Sequence, residues 1–252
     1  MKDPGRPFRA VILAGGQGTR LYPLTEAVPK PLLRIDERPV IELIVRRLVY
    51  FGASQITVAV GHLAELIERF LGNGQKFGVP IDYVRESHPL GTAGSIGLMP
   101  AWDGPLVVTN GDVLSDIDFQ DLLRSHDALS ATLSVATKIR SLRTDAGVVT
   151  TNASLQVTGI VEKPLIEQRI SLGIYVISDH VRALIPLNQR IEMPELIQKL
   201  ISCKQLVAAY DHTGLWLDIG RPDDLAKARA DAAIWGKAID DAARTDCNHM
   251  RQ

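Results

Sequence analysis

One junction constrains this chain more than any other feature. An apolar run over residues 9–14 reads as a buried strand, and it passes without a spacer into Gly15-Gly16-Gln17-Gly18-Thr19-Arg20-Leu21. Glycine permits positive φ and lets backbone N–H groups approach a ligand closely. Successive N–H groups in such a loop form a concavity that favours anions. Arg20 adds a planar fork suited to phosphate oxygens, and Lys30, in Pro29-Lys30-Pro31, adds a point charge ten residues on. Two familiar phosphate patterns are excluded. Gly18-Thr19-Arg20 does not supply the Gly-Lys-Ser/Thr of an ATPase loop, and Leu21 stands where a dinucleotide-binding loop needs its third glycine.

The remainder of the chain can build a sheet around that junction. Strand-like runs at 56–60, 81–85 and 106–109 alternate with helical segments at 63–71, 92–98 and from Phe119, which Asp118 can cap. Val40, Ile44, Leu48 and Phe51 share one face of a further helix, and Gly52 stands where it would stop. Such alternation predicts a parallel sheet covered on both faces. The second half has more strands, at 131–136, 147–150, 157–162, 170–177 and 206–210. Helices are expected at 179–184, at 193–203 and, Ala-rich, from Pro222 to about Trp235. The expectation is a single three-layer α/β/α domain over 9–235 with a central mixed, mostly parallel sheet, flanked by tails at 1–8 and 236–252. There is no repeat of 20–50 residues, no low-complexity linker and no hexapeptide repeat for a β-helix module.

Charge and composition exclude several partners. The net charge is −1, so bulk attraction to nucleic acid or an anionic membrane is not indicated, and phosphate binding must come from local groups. No apolar stretch approaches the roughly 20 residues of a membrane span, and the N-terminus lacks the apolar core of a signal peptide. The two cysteines, Cys203 and Cys247, read as inert thiols, which suits a reducing cytoplasm.

Carboxylates follow two of the predicted strands. Asn110-Gly111-Asp112 comes directly after 106–109, where strand ends of an open sheet line a ligand crevice, and Asp218 sits in the apolar run Trp216-Leu217-Asp218-Ile219. Each alone reads more readily as a turn or cap residue than as a metal ligand, although Mg²⁺ takes one or two such carboxylates together with substrate phosphates. Asp116 and Asp118 read as turn and cap residues.

From Gly15 through Tyr22-Pro23-Leu24-Thr25 to Pro29-Lys30-Pro31-Leu32, the sequence resembles the signature of the sugar-1-phosphate nucleotidyltransferases, and the resemblance extends over about 9–230. It implies a Rossmann-like fold with a nucleotide-binding half at about 9–125 and a sugar-binding half at about 126–235. Its carry-over assigns Leu13, Ala14, Gly15, Gly16, Gly18, Thr19, Arg20, Lys30 and Asp112 to the nucleotide. His88, Pro89, Gly91 and Thr92 fall in the loop that packs on the base in that family. Asn110, Gly147, Glu162, Lys163, Ser171 and Gly173 fall on the sugar phosphate, and Asp112 and Asp218 on Mg²⁺. Arg20, Lys30 and Lys163 are the implied catalytic cations. Two departures bear on the sugar: Ala146 precedes Gly147 where many members carry tyrosine, and Ser171 replaces an asparagine.

The implied reaction joins a nucleoside triphosphate to a sugar 1-phosphate, releasing pyrophosphate. GTP with a mannose-, heptose- or hexosamine-like sugar fits the loops best. A thymidylyl-, uridylyl- or cytidylyltransferase acting on a hexose 1-phosphate, or a non-catalytic nucleotide-sugar-binding relative, are the alternatives. Asp116-Ile117-Asp118 matches the metal motif of a glycosyltransferase in letters only, since it lies past Asp112 and beside an intact phosphate loop. Oligomeric state is open, a homodimer included.

Overall fold

The computed structural model describes residues 5–243. Cys247 and the outer parts of both expected tails lie outside the described residues. Seven strands form the main sheet: β1 (Phe8–Ala14), β2 (Ala53–Val60), β3 (Ile81–Arg85), β4 (Leu106–Asn110), β5 (Leu133–Arg143), β6 (Leu165–Ile177) and β7 (Val207–Asp211). Their spatial order is β7-β5-β6-β4-β1-β2-β3. Only β6 runs against its neighbours, β4 and β5, so the sheet is mixed and mostly parallel as expected. The helices are α1 (Val40–Tyr50), α2 (Ala64–Leu71), α3 (Gly91–Gly94), α4 (Phe119–Ala128), α5 (Met193–Ser202), α6 (Pro222–Ala230) and α7 (Ala232–Ala243).

Strand alternation sorts side chains into two cores. In β1, Phe8, Ala10, Ile12 and Ala14 face one core with α1, α2 and α4, while Val11 faces the other. That second core packs Ala93, Ile96 and Met99 against Leu196 and Leu200 of α5. Strands buried on both faces read as continuous apolar runs, which is why 9–14 and 106–109 were recognisable. Each fully buried Ile or Leu contributes about 1.5–3 kcal/mol of transfer free energy. In α1, Val40, Ile41, Ile44, Val45 and Leu48 are buried, and Gly52 follows with φ 89°, its N–H bonding Val49 O at 2.9 Å.

The structure lengthens two strands. β5 and β6 were expected at 131–136 and 170–177, yet they continue as a two-stranded arm pairing Leu165 with Arg143 through Ser171 with Thr137. Most of this arm is exposed, so its backbone ladder persists where the apolar pattern has ended. The segment at 179–184 is a 3₁₀ helix. The single Ala-rich helix is instead two, broken at Asp231, and the second runs to Ala243 rather than stopping near Trp235. Trp235, only 5% exposed, packs α7 into the first core and offsets the helix-weakening Gly236.

Candidate active site

The carboxyl ends of β1 and β4 meet at the phosphate loop. The two strands are parallel neighbours with Leu13 opposite Asn110, and Gly111 N donates to Leu13 O at 2.8 Å. Asp112 is thereby delivered beside the loop that leaves β1. Gly18 adopts φ 66°, a left-handed conformation that side chains rarely tolerate. Its carbonyl accepts from Leu21 N at 2.9 Å and from the buried Thr25 Oγ1 at 2.9 Å, which folds the loop into the 3₁₀ turn Thr19–Leu21.

Lys30 is presented by a second 3₁₀ turn, Lys30–Leu32, between two prolines, and is 9% exposed. Its ammonium bonds Asp112 Oδ2 and lies 3.8 Å from Asp218 Oδ1. Asp218 is brought there by a two-stranded ribbon, Val113–Ser115 with Trp216–Asp218, reinforced by Ile219 N to Asp112 O at 3.0 Å. Trp216 Nε1 donates to Leu172 O at 2.9 Å and pins the ribbon to β6. Burial pushes the Asp218 carboxyl up from its ordinary pKa, the neighbouring Asp112 adds to this, and Lys30 and Arg20 oppose it. Asp218 Oδ1 is buried without a hydrogen-bond partner, an arrangement that a further cation would relieve. Among the described residues no group of three or more His, Cys, Asp or Glu is placed to hold a metal alone. Two carboxylates suffice for Mg²⁺ when phosphate oxygens and water complete its shell.

The glycine loop, Lys30 and Asp112 open onto one cleft of about 360 Å³. Of the expected nucleotide residues, Leu13, Ala14, Gly15, Gly16, Gly18, Thr19, Arg20, Lys30, Pro89, Gly91, Thr92 and Asp112 line it, together with Asn110 from the sugar set. His88 does not, being exposed and 3.1 Å from Ser87 Oγ. The charged lining residues Glu86, Arg190 and Glu192 went unread in the sequence. Glu86 follows β3, its carboxylate 3.0 Å from where a Cβ on Gly15 would sit, and it accepts from Leu90 N at 3.2 Å. Burial raises its pKa, and the Leu90 hydrogen bond opposes that rise. Its position just past a parallel strand is the same signal that exposed Asp112.

The sugar set is placed differently. Gly147, Glu162, Lys163, Ser171 and Gly173, and with them the metal candidate Asp218, are absent from the cleft lining. Gly173, with φ 71°, abuts Asn110, whose Nδ2 lies 2.6 Å from where a Cβ would sit. Gly147 and Glu162 face one another across the ribbon Val148–Thr151 with Val157–Val161, 3.0 Å from a built Cβ to Glu162 Oε2. Glu162 and Lys163 are exposed, and Ser171 Oγ lies 3.2 Å from Tyr175 Oη.

The sequence profile of the nucleotidyl transferase family matches residues 9–233. The chain belongs to this family. Curated nucleotidyl transferase relatives include a UTP–glucose-1-phosphate uridylyltransferase of Synechocystis sp., 34% identical over 88% of this chain and 62% of its own. A mannose-1-phosphate guanyltransferase of Gibberella zeae is also 34% identical, over 86% of this chain and 62% of its own. The chain thus spans about 62% of the length of these relatives. Among solved structures, one described as a glucose-1-phosphate thymidylyltransferase from Bacillus anthracis, in complex with a sucrose, superposes with a TM-score of 0.72 at 26% identity, covering 89% of this chain and 95% of that one.

Proposed function

We propose that this chain joins a nucleoside triphosphate to a sugar 1-phosphate, forming a nucleotide-sugar and pyrophosphate. The observation that carries this reading is the cluster of Lys30, Asp112 and Asp218 at the mouth of a glycine loop, in a nucleotidyl transferase cleft. A phosphate oxygen of the sugar 1-phosphate attacks the α-phosphorus, the bond from that phosphorus to the α,β-bridging oxygen breaks, and pyrophosphate leaves with the electron pair. The nucleophile is already ionised at pH 7, so positioning and charge neutralisation supply the catalysis. The loop N–H groups and Arg20 take the triphosphate, Lys30 neutralises charge that develops on the leaving oxygens, and Lys163 orients the sugar phosphate. Asp112 and Asp218 would hold Mg²⁺, which would supply charge neutralisation to the phosphates; the orphaned Asp218 Oδ1 supports that fit.

GTP is the favoured triphosphate, and a mannose-, heptose- or hexosamine-like 1-phosphate the favoured partner. Guanyltransferase relatives support the base, as does Glu86, whose two oxygens suit the adjacent N1–H and N2–H donors of guanine. A second reading, a uridylyl- or thymidylyltransferase on glucose 1-phosphate, is supported by the Synechocystis relative and the Bacillus anthracis structure. No helix among the described residues is long and apolar enough to cross a membrane, and a cytoplasmic location is part of this proposal. Pyrophosphate release across a grid of triphosphates and sugar 1-phosphates tests it: turnover requiring one of each supports the reading, and silence across a broad grid overturns it.

A further inference from the structure

The cleft lining carries charges of both signs. Beside Lys30 and Arg20 it holds Glu86, Glu192 and Arg190. Arg190 lies in the segment leading into α5, and its side chain is 70% exposed. An exposed arginine with one ion pair ordinarily contributes little and samples many rotamers. Here the pairing carboxylate is itself fixed. Glu192 Oε2 accepts from Thr92 N at 2.9 Å and Thr92 Oγ1 at 3.0 Å, while Oε1 accepts from Arg190 NH2 at 2.9 Å and Nε at 3.3 Å. Glu192 therefore fastens the guanidinium to the loop that begins at Pro89. The Thr92 N–H bond chiefly, with Arg190 adding to it, holds the Glu192 carboxyl below its ordinary pKa, so the brace is charged at neutral pH.

A chain of contacts ties this brace to Glu86. Glu86 Oε2 accepts from Leu90 N at 3.2 Å, the next residue is Gly91, and a Cβ on Gly91 would sit 3.0 Å from Glu192 Oε1. An acceptor and a preorganised donor fork in one cleft lining are thus linked through the Leu90–Gly91 segment. The brace engages Nε–H and one terminal N–H, which leaves three of the five guanidinium donors unused.

We infer that Arg190 reads the base of the triphosphate, donating to the O6/N7 edge of guanine, and that Glu192 is its positioning residue. The inference rests on the nucleotide-binding reading above. Guanine offers O6 and N7 as paired acceptors, the geometry an arginine fork matches. Adenine places an amino group where guanine has O6, setting donor against donor, and pyrimidines lack N7 altogether. Together, Glu86 accepting from N1–H and N2–H and Arg190 donating to O6 and N7 would select guanine along two adjoining edges.

Calorimetric binding of GTP and ATP with Mg²⁺ tests this on the full chain and three variants, Arg190→Ala, Arg190→Lys and Glu192→Gln. Arg190→Ala should weaken GTP binding about 10- to 100-fold and leave ATP within about twofold, so that the GTP/ATP preference collapses. Arg190→Lys should restore part of the preference, because it keeps the charge and loses the fork. Glu192→Gln should fall between Arg190→Lys and wild type. Equal losses for both triphosphates, an unchanged GTP affinity, or a wild-type protein that prefers ATP or fails to bind GTP would each overturn the inference. Because binding is read rather than turnover, a protein that binds GTP selectively but releases no pyrophosphate contradicts the proposed reaction and leaves the base reading standing.

Discussion

The two halves of the sheet support ligand chemistry in different ways. In the first, β1, β2 and β4 are largely buried, and β1, β4 and the edge strand β3 deliver the glycine loop, Asp112 and Glu86 at their carboxyl ends. The expected nucleotide residues converge there, His88 excepted, because strand ends leave them little freedom. In the second half, β5 and β6 leave the core as a solvated arm, and the neighbouring ribbon carries Val157, Ile160 and Val161 at 66%, 68% and 59% exposure. Glu162 and Lys163 ride on that ribbon, with the cleft lined by other residues. The residues proposed for phosphate chemistry thus sit on the buried part of the sheet, and those proposed for the sugar sit on its least buried part.

The largest effect should come from the first half. Asp112→Asn keeps the shape and removes the charge beside Lys30, and turnover should fall about 1,000-fold or more with melting temperature nearly unchanged. Steady-state kinetics beside a thermal melt checks both. Arg20→Ala, at an exposed position by Gly220, should cost about 100- to 1,000-fold in turnover.

The second half should respond in affinity instead. Lys163→Ala or Glu162→Gln should raise KM for the sugar phosphate about 10- to 100-fold and leave triphosphate binding intact. If neither moves that KM, the ribbon is not a sugar-binding element and the contrast between the halves fails. Gly173→Ala puts a Cβ 2.6 Å from Asn110 Nδ2 at a φ of 71°, and about 1–3 kcal/mol of destabilisation should appear as a lower melting temperature. An unchanged melt there would mean that Asn110 moves freely and is not held by β6.

The smallest effect is a pH dependence far from the cleft. Buried His126 lies 2.8 Å from Ser134 Oγ and 3.2 Å from Ser178 Oγ, and burial lowers its pKa below the ordinary 6.5. The folded state therefore favours the neutral ring. Its stability contribution is complete above pH 6.5 and is lost as pH falls through the lower folded value. Melting temperature should decline on acidification below pH 6.5, and His126→Gln should flatten that decline.

How much could be read in advance follows the same division. The runs at 9–14 and 106–109 were legible because a doubly buried strand is apolar throughout, and the glycines after 14 mark the turn. The arm of β5 and β6 was not, since a solvated ladder leaves no hydrophobic period. Glu86 had a signal, an acid just past a strand, that was readable but unused. Arg190 and Glu192 had none, because Glu192 meets Thr92 across 100 positions of sequence. The pairing of Asp112 with Asp218 through Lys30 likewise needed the ribbon that joins them.

The central claim is that this cleft transfers a nucleotidyl group to a sugar phosphate with help from Asp112, Asp218 and a divalent cation. Pyrophosphate release is the most direct measurement, with Mg²⁺ or EDTA, across triphosphates and sugar 1-phosphates, for the wild-type chain and Asp112→Asn. Release that requires one triphosphate, one sugar phosphate and the cation, and that Asp112→Asn abolishes, is the predicted result. Release that persists in EDTA or in Asp112→Asn, or none with any pair, would contradict the account.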